Sequence, residues 1–90
     1  MYKISISNKF EKDFVKCARR KYDLELLGKV LEILESSGSL PKSYKSHILS
    51  GNYKVYWECH IKPDWLLLWK QDDVTKNIEL VRTGTHSDLF

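Results

Sequence analysis

Hydrophobic periodicity changes character twice along this chain, and the order of those changes limits the folds open to it. Tyr2, Ile4 and Ile6 alternate with Lys3, Ser5 and Ser7, the period-two pattern of a half-buried strand. Helical spacing then takes over. Asn8 is positioned to cap a helix, with Glu11 three residues on, and Phe10, Phe14, Cys17 and Ala18 follow along one stripe. Asp23 is a second cap candidate, after which Leu27, Val30, Leu31 and Leu34 recur at i, i+3, i+4 and i+7 until Gly38 supplies a stop. From Ser39 the turn-rich stretch SLPKSYKSHILSG leads back to alternation, in NYKVYWECH. The turn IKPD, the more continuously apolar WLLLWKQ, the turn DDVTK and the strand NIELVRT complete the chain before the tail GTHSDLF. The order strand, helix, helix, strand, strand, strand predicts an α+β domain over residues 1–90, with a helical hairpin packed on one face of a mainly antiparallel four-stranded sheet.

Ninety residues bury only about 60 to 65% of their unfolded surface, which leaves little spare stability for a deep cofactor cavity. Chemistry is therefore expected at the surface, without a cofactor. MYKISIS has no apolar run long enough for a signal peptide, and no stretch approaches the ~20 apolar residues of a membrane span, so a cytoplasmic protein without membrane contact is expected. Cys17 and Cys59 stand apart with no metal-ligand spacing and read as buried thiols. A formal charge of +3 fits a nucleic-acid or acidic-protein partner, and it fits many ordinary enzymes equally.

The chain's three histidines, together with Asp64, are expected at one end of the sheet. His60 and Asp64 flank the turn IKP, His47 lies in the loop before the second strand, and His86 lies just after the fourth. On this reading all three histidines can meet one carboxylate. Such a set admits metal binding or proton transfer. The ligands come from separate segments and lack a close pair such as HxH or HExxH, which argues against a metal. Two imidazoles that titrate near neutral pH can instead take a proton from a ribose 2′-hydroxyl and give one to the leaving 5′-oxygen. Lys45, Lys54 and Arg82 are candidate cations for the scissile phosphate, and Trp65 and Phe90 are candidates to stack on unpaired bases. Taken singly, each of these residues is more often an ordinary surface, turn or core group, as Trp57 and Trp69 are expected to be.

The wording HIKPDWLLLWK and RTGTHSDLF resembles the YafQ-type toxins of the RelE/ParE superfamily, the toxic halves of bacterial type II toxin-antitoxin pairs. The shared pattern is a histidine before the second strand, H-x-x-P-D-W leading into an apolar strand, and R-T-G-T-H-x-x-L-F. Here these are His47, His60 to Trp65, and Arg82 to Phe90. The resemblance covers the length and element order of the whole chain. It implies a RelE-like fold and a ribosome-dependent endoribonuclease that cuts translated mRNA in the A site, where the acid/base route read from the residues needs no metal. It implies an active site of His47, His60, Asp64 and His86. His86 is then the general acid, Asp64 and His60 form the base side, and His47 positions the substrate or shares proton transfer. Arg82 becomes a phosphate contact and Phe90 an aromatic beside the terminal carboxyl. The implied partners are an acidic antitoxin protein, the ribosome with its 30S A site and ribosomal RNA, mRNA, and operator DNA bound together with the antitoxin. Lys12, Lys16, Arg19 and Arg20 on the first helix are candidates to dock on ribosomal RNA.

Two positions depart from the family pattern: Trp57 stands where arginine is frequent, and Val55 replaces a small residue. Strand parity puts Trp57 with Tyr53, Val55 and Cys59, so it is expected in the core. The competing function is that of a ParE-like toxin that inhibits DNA gyrase by binding, which has no need of three histidines and an aspartate at one end of a sheet.

Overall fold

The structure, a computed structural model, describes residues 1–53 and 55–90. The expected α+β class is observed. Strand β1 (Lys3–Ile6) leads into helices α1 (Asn8–Arg19) and α2 (Leu24–Ser37), followed by strands β2 (His47–Ile48), β3 (Trp57–Lys62), β4 (Trp65–Asp72) and β5 (Asn77–Gly84), and a one-turn helix α3 (His86–Leu89). Among the described residues the strands form one five-stranded sheet in the order β1-β5-β4-β3-β2, in which only β1 and β5 run parallel.

The expected four strands become five because His47 and Ile48, read as loop, pair with Glu58 and Trp57. The second strand correspondingly starts at Trp57 rather than at Asn52. Ser50, Gly51 and Asn52 turn the chain, with Gly51 at φ 67°, and the Leu49 N–H meets the Tyr56 carbonyl at 2.9 Å, so β2 and β3 form a hairpin. Val55 is accordingly exposed and does not share the core face of Trp57.

Helix α1 is capped one residue before the expected Asn8. The Ser7 hydroxyl accepts the Phe10 N–H at 3.0 Å and donates to the Val81 carbonyl at 2.9 Å, so a tertiary bond selects the cap. Asp23 caps α2, and Gly38 ends it at φ 71°; a Cβ there would meet the Tyr2 ring at 2.3 Å.

Phe10 and Cys17 of α1 and Leu27, Val30 and Leu34 of α2 pack against Cys59, Trp65, Leu67, Trp69, Ile78 and Leu80 of the sheet. Trp57 lies at the margin of this cluster, stacked on Trp69 with ring centroids 6.0 Å apart. Strand β4 is buried from Trp65 to Trp69, which explains its continuous apolar run: Leu66 and Leu68 occupy the opposite face. Their cross-strand partners on β3 are His60 and Glu58. Opposite β4, Val81 is an extra residue between the pairs Trp69–Leu80 and Leu68–Arg82. This bulge resets the alternation, so Leu80 and Thr83, on either side of it, both face the core. Among the described residues, no helix is long and apolar enough to cross a membrane.

Candidate active site

The wording GTHSD is explained residue by residue by α3. A helix of four residues cannot hold itself together, because the first turn fixes many dihedral angles for few bonds. A reciprocal cap compensates: the Thr85 hydroxyl accepts the Asp88 N–H at 3.1 Å, and the Asp88 carboxylate accepts the Thr85 N–H at 2.9 Å. Gly84 makes room, since a Cβ there would stand 2.7 Å from Asp88 Oδ2. His86 therefore takes the first helical position, where its backbone N–H has no partner within the helix.

Asp64 supplies that partner. It sits in the two-residue Pro63-Asp64 turn, closed by the Lys62–Trp65 pair, and its Oδ1 accepts the His86 N–H at 3.0 Å. The same oxygen lies 2.7 Å from His86 Nδ1. A carboxylate only accepts, so Nδ1 carries a proton and Nε2 is the nitrogen presented outward. The His86 backbone N–H, followed by its ring, holds the Asp64 carboxyl below the usual carboxylate range.

His60 approaches from β3, with its ring centroid 6.0 Å from that of His86 and the planes tilted by 49°. Its Nδ1 lies 3.3 Å from the Pro63 carbonyl, and its Nε2 lies 3.9 Å from Glu58 Oε1. His47, across β2, donates from Nδ1 to the Lys45 carbonyl at 2.8 Å and brings Nε2 to 3.3 Å from the same Glu58 oxygen. The three histidines thus do not share one carboxylate. Asp64 holds His86, while Glu58, with only 8% of its side chain exposed, collects His47 and His60. Glu58 was not singled out from the sequence, although it stands two residues before His60 on one strand and so faces the same side.

The remaining candidates divide. Lys45 is exposed, in a left-handed conformation at φ 52°, and borders a shallow cleft of about 330 Å³ with His60, Lys62 and Pro63. Phe90 is half-exposed at the end of α3, its N–H bonded to the His86 carbonyl at 2.9 Å. Lys54 lies outside the described residues. Arg82 is engaged within the protein. Its Nε and Nη2 donate to Asp13 at 2.6 and 3.2 Å, and Nη2 also reaches the Asp88 carbonyl at 3.4 Å. Asp13 additionally accepts the Thr83 N–H at 3.1 Å, which is why a carboxylate is buried on α1. Trp65 is a correction to the sequence reading. It is 3% exposed, donates from Nε1 to Thr83 at 2.9 Å and meets the edge of Tyr22, so it cannot stack on a base from this position. The first residue of the apolar strand is drawn inward by its alternation with Leu67 and Trp69.

Of the first-helix cations, Arg20 is also engaged, with Nη1 and Nη2 on the two Asp88 oxygens at 2.6 and 3.0 Å. Arg20 and the Thr85 N–H hold the Asp88 carboxyl well below the usual range. Both cysteines are free and buried, and burial pushes the Cys59 thiol up to about 12. Among the described residues, no three His, Cys, Asp or Glu side chains gather in a metal-holding arrangement.

The family described as "Bacterial toxin of type II toxin-antitoxin system, YafQ" matches residues 2–90. The mRNA interferase toxin YafQ of Escherichia coli K12 is 36% identical over 88 residues, covering 97% of this chain and 94% of that protein. Among solved structures, YafQ in the E. coli DinJ-YafQ complex superposes with a TM-score of 0.90 at 35% identity, covering 100% of this chain and 99% of that one. A metal-bound toxin from Helicobacter pylori superposes with a TM-score of 0.90 at 41% identity, covering 100% of both chains.

Proposed function

Because the chain belongs to the YafQ family of toxins from bacterial type II toxin-antitoxin systems, we propose that it is an mRNA interferase: an endoribonuclease that enters the ribosomal A site and cuts mRNA there by acid/base chemistry. The observation that carries this reading is the pair of imidazoles at one end of the sheet, His86 held on Asp64 and His60 standing 6.0 Å from it. That spacing accommodates a phosphodiester between two proton-transfer groups.

Protonated His86 gives its Nε2 proton to the 5′-oxygen as the P–O5′ bond breaks, because an alkoxide is a poor leaving group unless it is neutralised. Asp64 keeps the ring in the tautomer and orientation that this step needs, and stabilises the imidazolium before transfer. On the other side, His60 takes the proton of the 2′-hydroxyl as that oxygen attacks phosphorus, giving a 2′,3′-cyclic phosphate and a free 5′-hydroxyl. Glu58 stabilises the charge that His60 gains and holds His47 beside it. This refines the expected base side: Asp64 serves the acid, and Glu58 replaces it as the carboxylate near the base. Lys45 is a candidate phosphate contact at the cleft, and Phe90 a candidate stacking surface.

The cellular partner in this reading is an acidic antitoxin, a protein that occupies the role DinJ has beside E. coli YafQ. The ribosome and mRNA are its targets, and operator DNA is engaged together with the antitoxin. Primer extension on an mRNA translated by purified ribosomes tests the function. New 5′ ends that appear only with ribosomes and carry a free hydroxyl are expected, and they persist with a transition-metal chelator while Mg²⁺ keeps the ribosome assembled. Cutting lost to the chelator and restored by zinc or copper would replace the acid/base assignment. Intact mRNA with altered plasmid supercoiling would point to gyrase inhibition instead.

A further inference from the structure

We infer that Arg20 is a positioning residue for His86, acting through Asp88 and the cap of α3 from the far end of α1. The inference rests on the reading of His86 as the proton donor. Three observations converge on it.

Asp88 carries two loads at once. Its Oδ2 accepts the Thr85 N–H that closes the α3 cap, and the same oxygen receives Arg20 Nη1 while Oδ1 receives Nη2. A guanidinium that grips both oxygens fixes the rotation of the carboxylate, and that rotation decides whether Oδ2 still faces Thr85. Without it the reciprocal half of the cap loosens, leaving α3 the Thr85 hydroxyl, Arg82 and Asp64 as anchors, and a four-residue helix so held directs the His86 ring less closely at Asp64.

Arg20 also touches the other half of the couple. Its guanidinium lies 6.0 Å from the centroid of the Tyr22 ring, and Tyr22 packs edge-on against Trp65, the neighbour of Asp64 in the chain. The donor histidine and its carboxylate are therefore referenced to one side chain. Finally, Asp13 of the same helix holds Arg82 and the Thr83 N–H, so α1 grips the strand end from which α3 departs. Helix α1 is in this sense the mount of the site, although it contributes no side chain to the reacting atoms.

A simple role in attracting ribosomal RNA would depend on the charge of Arg20 and not on its fork. The test compares Arg20→Ala, Arg20→Lys and, as a charge control on the same helix, Arg19→Ala in the full chain. One readout is the His86 Nδ1 nitrogen resonance, recorded through the carbon-bound ring protons because both partners are exposed, whose shift reports the proton held there by the 2.7 Å bond to Asp64. The other is single-turnover and steady-state cleavage on ribosomes. Arg20→Ala is expected to move that shift toward the value of a free imidazole and to lose roughly 10- to 100-fold in kcat, with KM within about twofold. Arg20→Lys restores part of both, because an ammonium is a single point of charge. Asp88→Asn, which keeps an acceptor for Thr85 but weakens the grip of Arg20, provides an independent variant should Arg20→Ala fold poorly, and the same two changes are expected. An unchanged Nδ1 shift in Arg20→Ala or Asp88→Asn would overturn the inference, as would full activity in Arg20→Lys or an equal loss in Arg19→Ala expressed in KM. If the wild type itself cuts no mRNA, the nuclease reading fails, while the resonance still decides whether Arg20 positions His86.

Discussion

One oxygen of Asp64 accepts both the backbone N–H and the ring Nδ1–H of His86, at 3.0 and 2.7 Å. A single carboxylate therefore fixes where this imidazole sits and which of its nitrogens is free.

His86→Ala is expected to lower mRNA cleavage by about 10² to 10⁴-fold, the usual contribution of a positioned general acid. The side chain is largely exposed, so stability should change by no more than roughly 0.5 kcal/mol. A substrate with a 5′-bridging phosphorothiolate needs no protonation of its leaving group, and the variant should cut it at close to the wild-type rate. Asp64→Asn should cost less than His86→Ala, and the double variant should be no worse than His86→Ala alone, because the two groups act as one unit. Additive losses in single-turnover rates would separate them.

Glu58 faces two imidazoles through one oxygen, and Glu58→Gln removes its charge while nearly keeping its volume. Cleavage should fall about 10-fold or more through weaker orientation of His60 and His47, with a melting temperature close to that of wild type. Wild-type activity in Glu58→Gln would confine that carboxylate to a structural role.

The Arg20–Asp88 pair makes a prediction about acid stability. The Asp88 carboxyl is depressed in the folded state by the Arg20 guanidinium and the Thr85 N–H, so its contribution is fully present above the ordinary aspartate pKa of about 3.9. It is lost as pH falls below that value through the lower folded pKa. Urea unfolding of wild type and Asp88→Asn should therefore differ most above pH 5 and converge toward pH 2. A gap that stays constant to pH 2 would show that the ion pair is not its source.

Trp69 is 1% exposed, whereas Trp57 stacks on it from the partly exposed margin of the core. Trp69→Ala should destabilise by about 3 to 5 kcal/mol, and Trp57→Ala by less, about 1 to 2 kcal/mol, in equilibrium denaturation. A larger loss for Trp57→Ala would mean that the partly exposed tryptophan and not the buried one anchors β3 to β4.

Local order was readable from the chain because its causes are local. The two helices, the stop at Gly38 and the Pro63-Asp64 turn depend on neighbours within a few residues, and the structure has them where the pattern put them, although Phe14 and Ala18 of the expected stripe are exposed and Asp13 is buried. The sequence wording around His60, Asp64 and His86 likewise led to the family. Which groups meet across the sheet was a different matter. That depends on register, and register here is set by a two-residue strand, a shift after His60 and the bulge at Val81, none of which leaves an unambiguous mark in a periodic pattern. So Glu58 looked like one more polar residue on an alternating strand, Trp65 like a surface aromatic and Arg82 like a free cation. Tertiary structure gave Glu58 two histidines, turned Trp65 into the core, and spent Arg82 on Asp13, a residue 69 positions away. The sequence by itself determined the helices, the strands' approximate places and the chemistry available at one end of the sheet. Only the packed fold decided which carboxylate serves which imidazole, because a contact between distant segments depends on the register and twist of every strand between them.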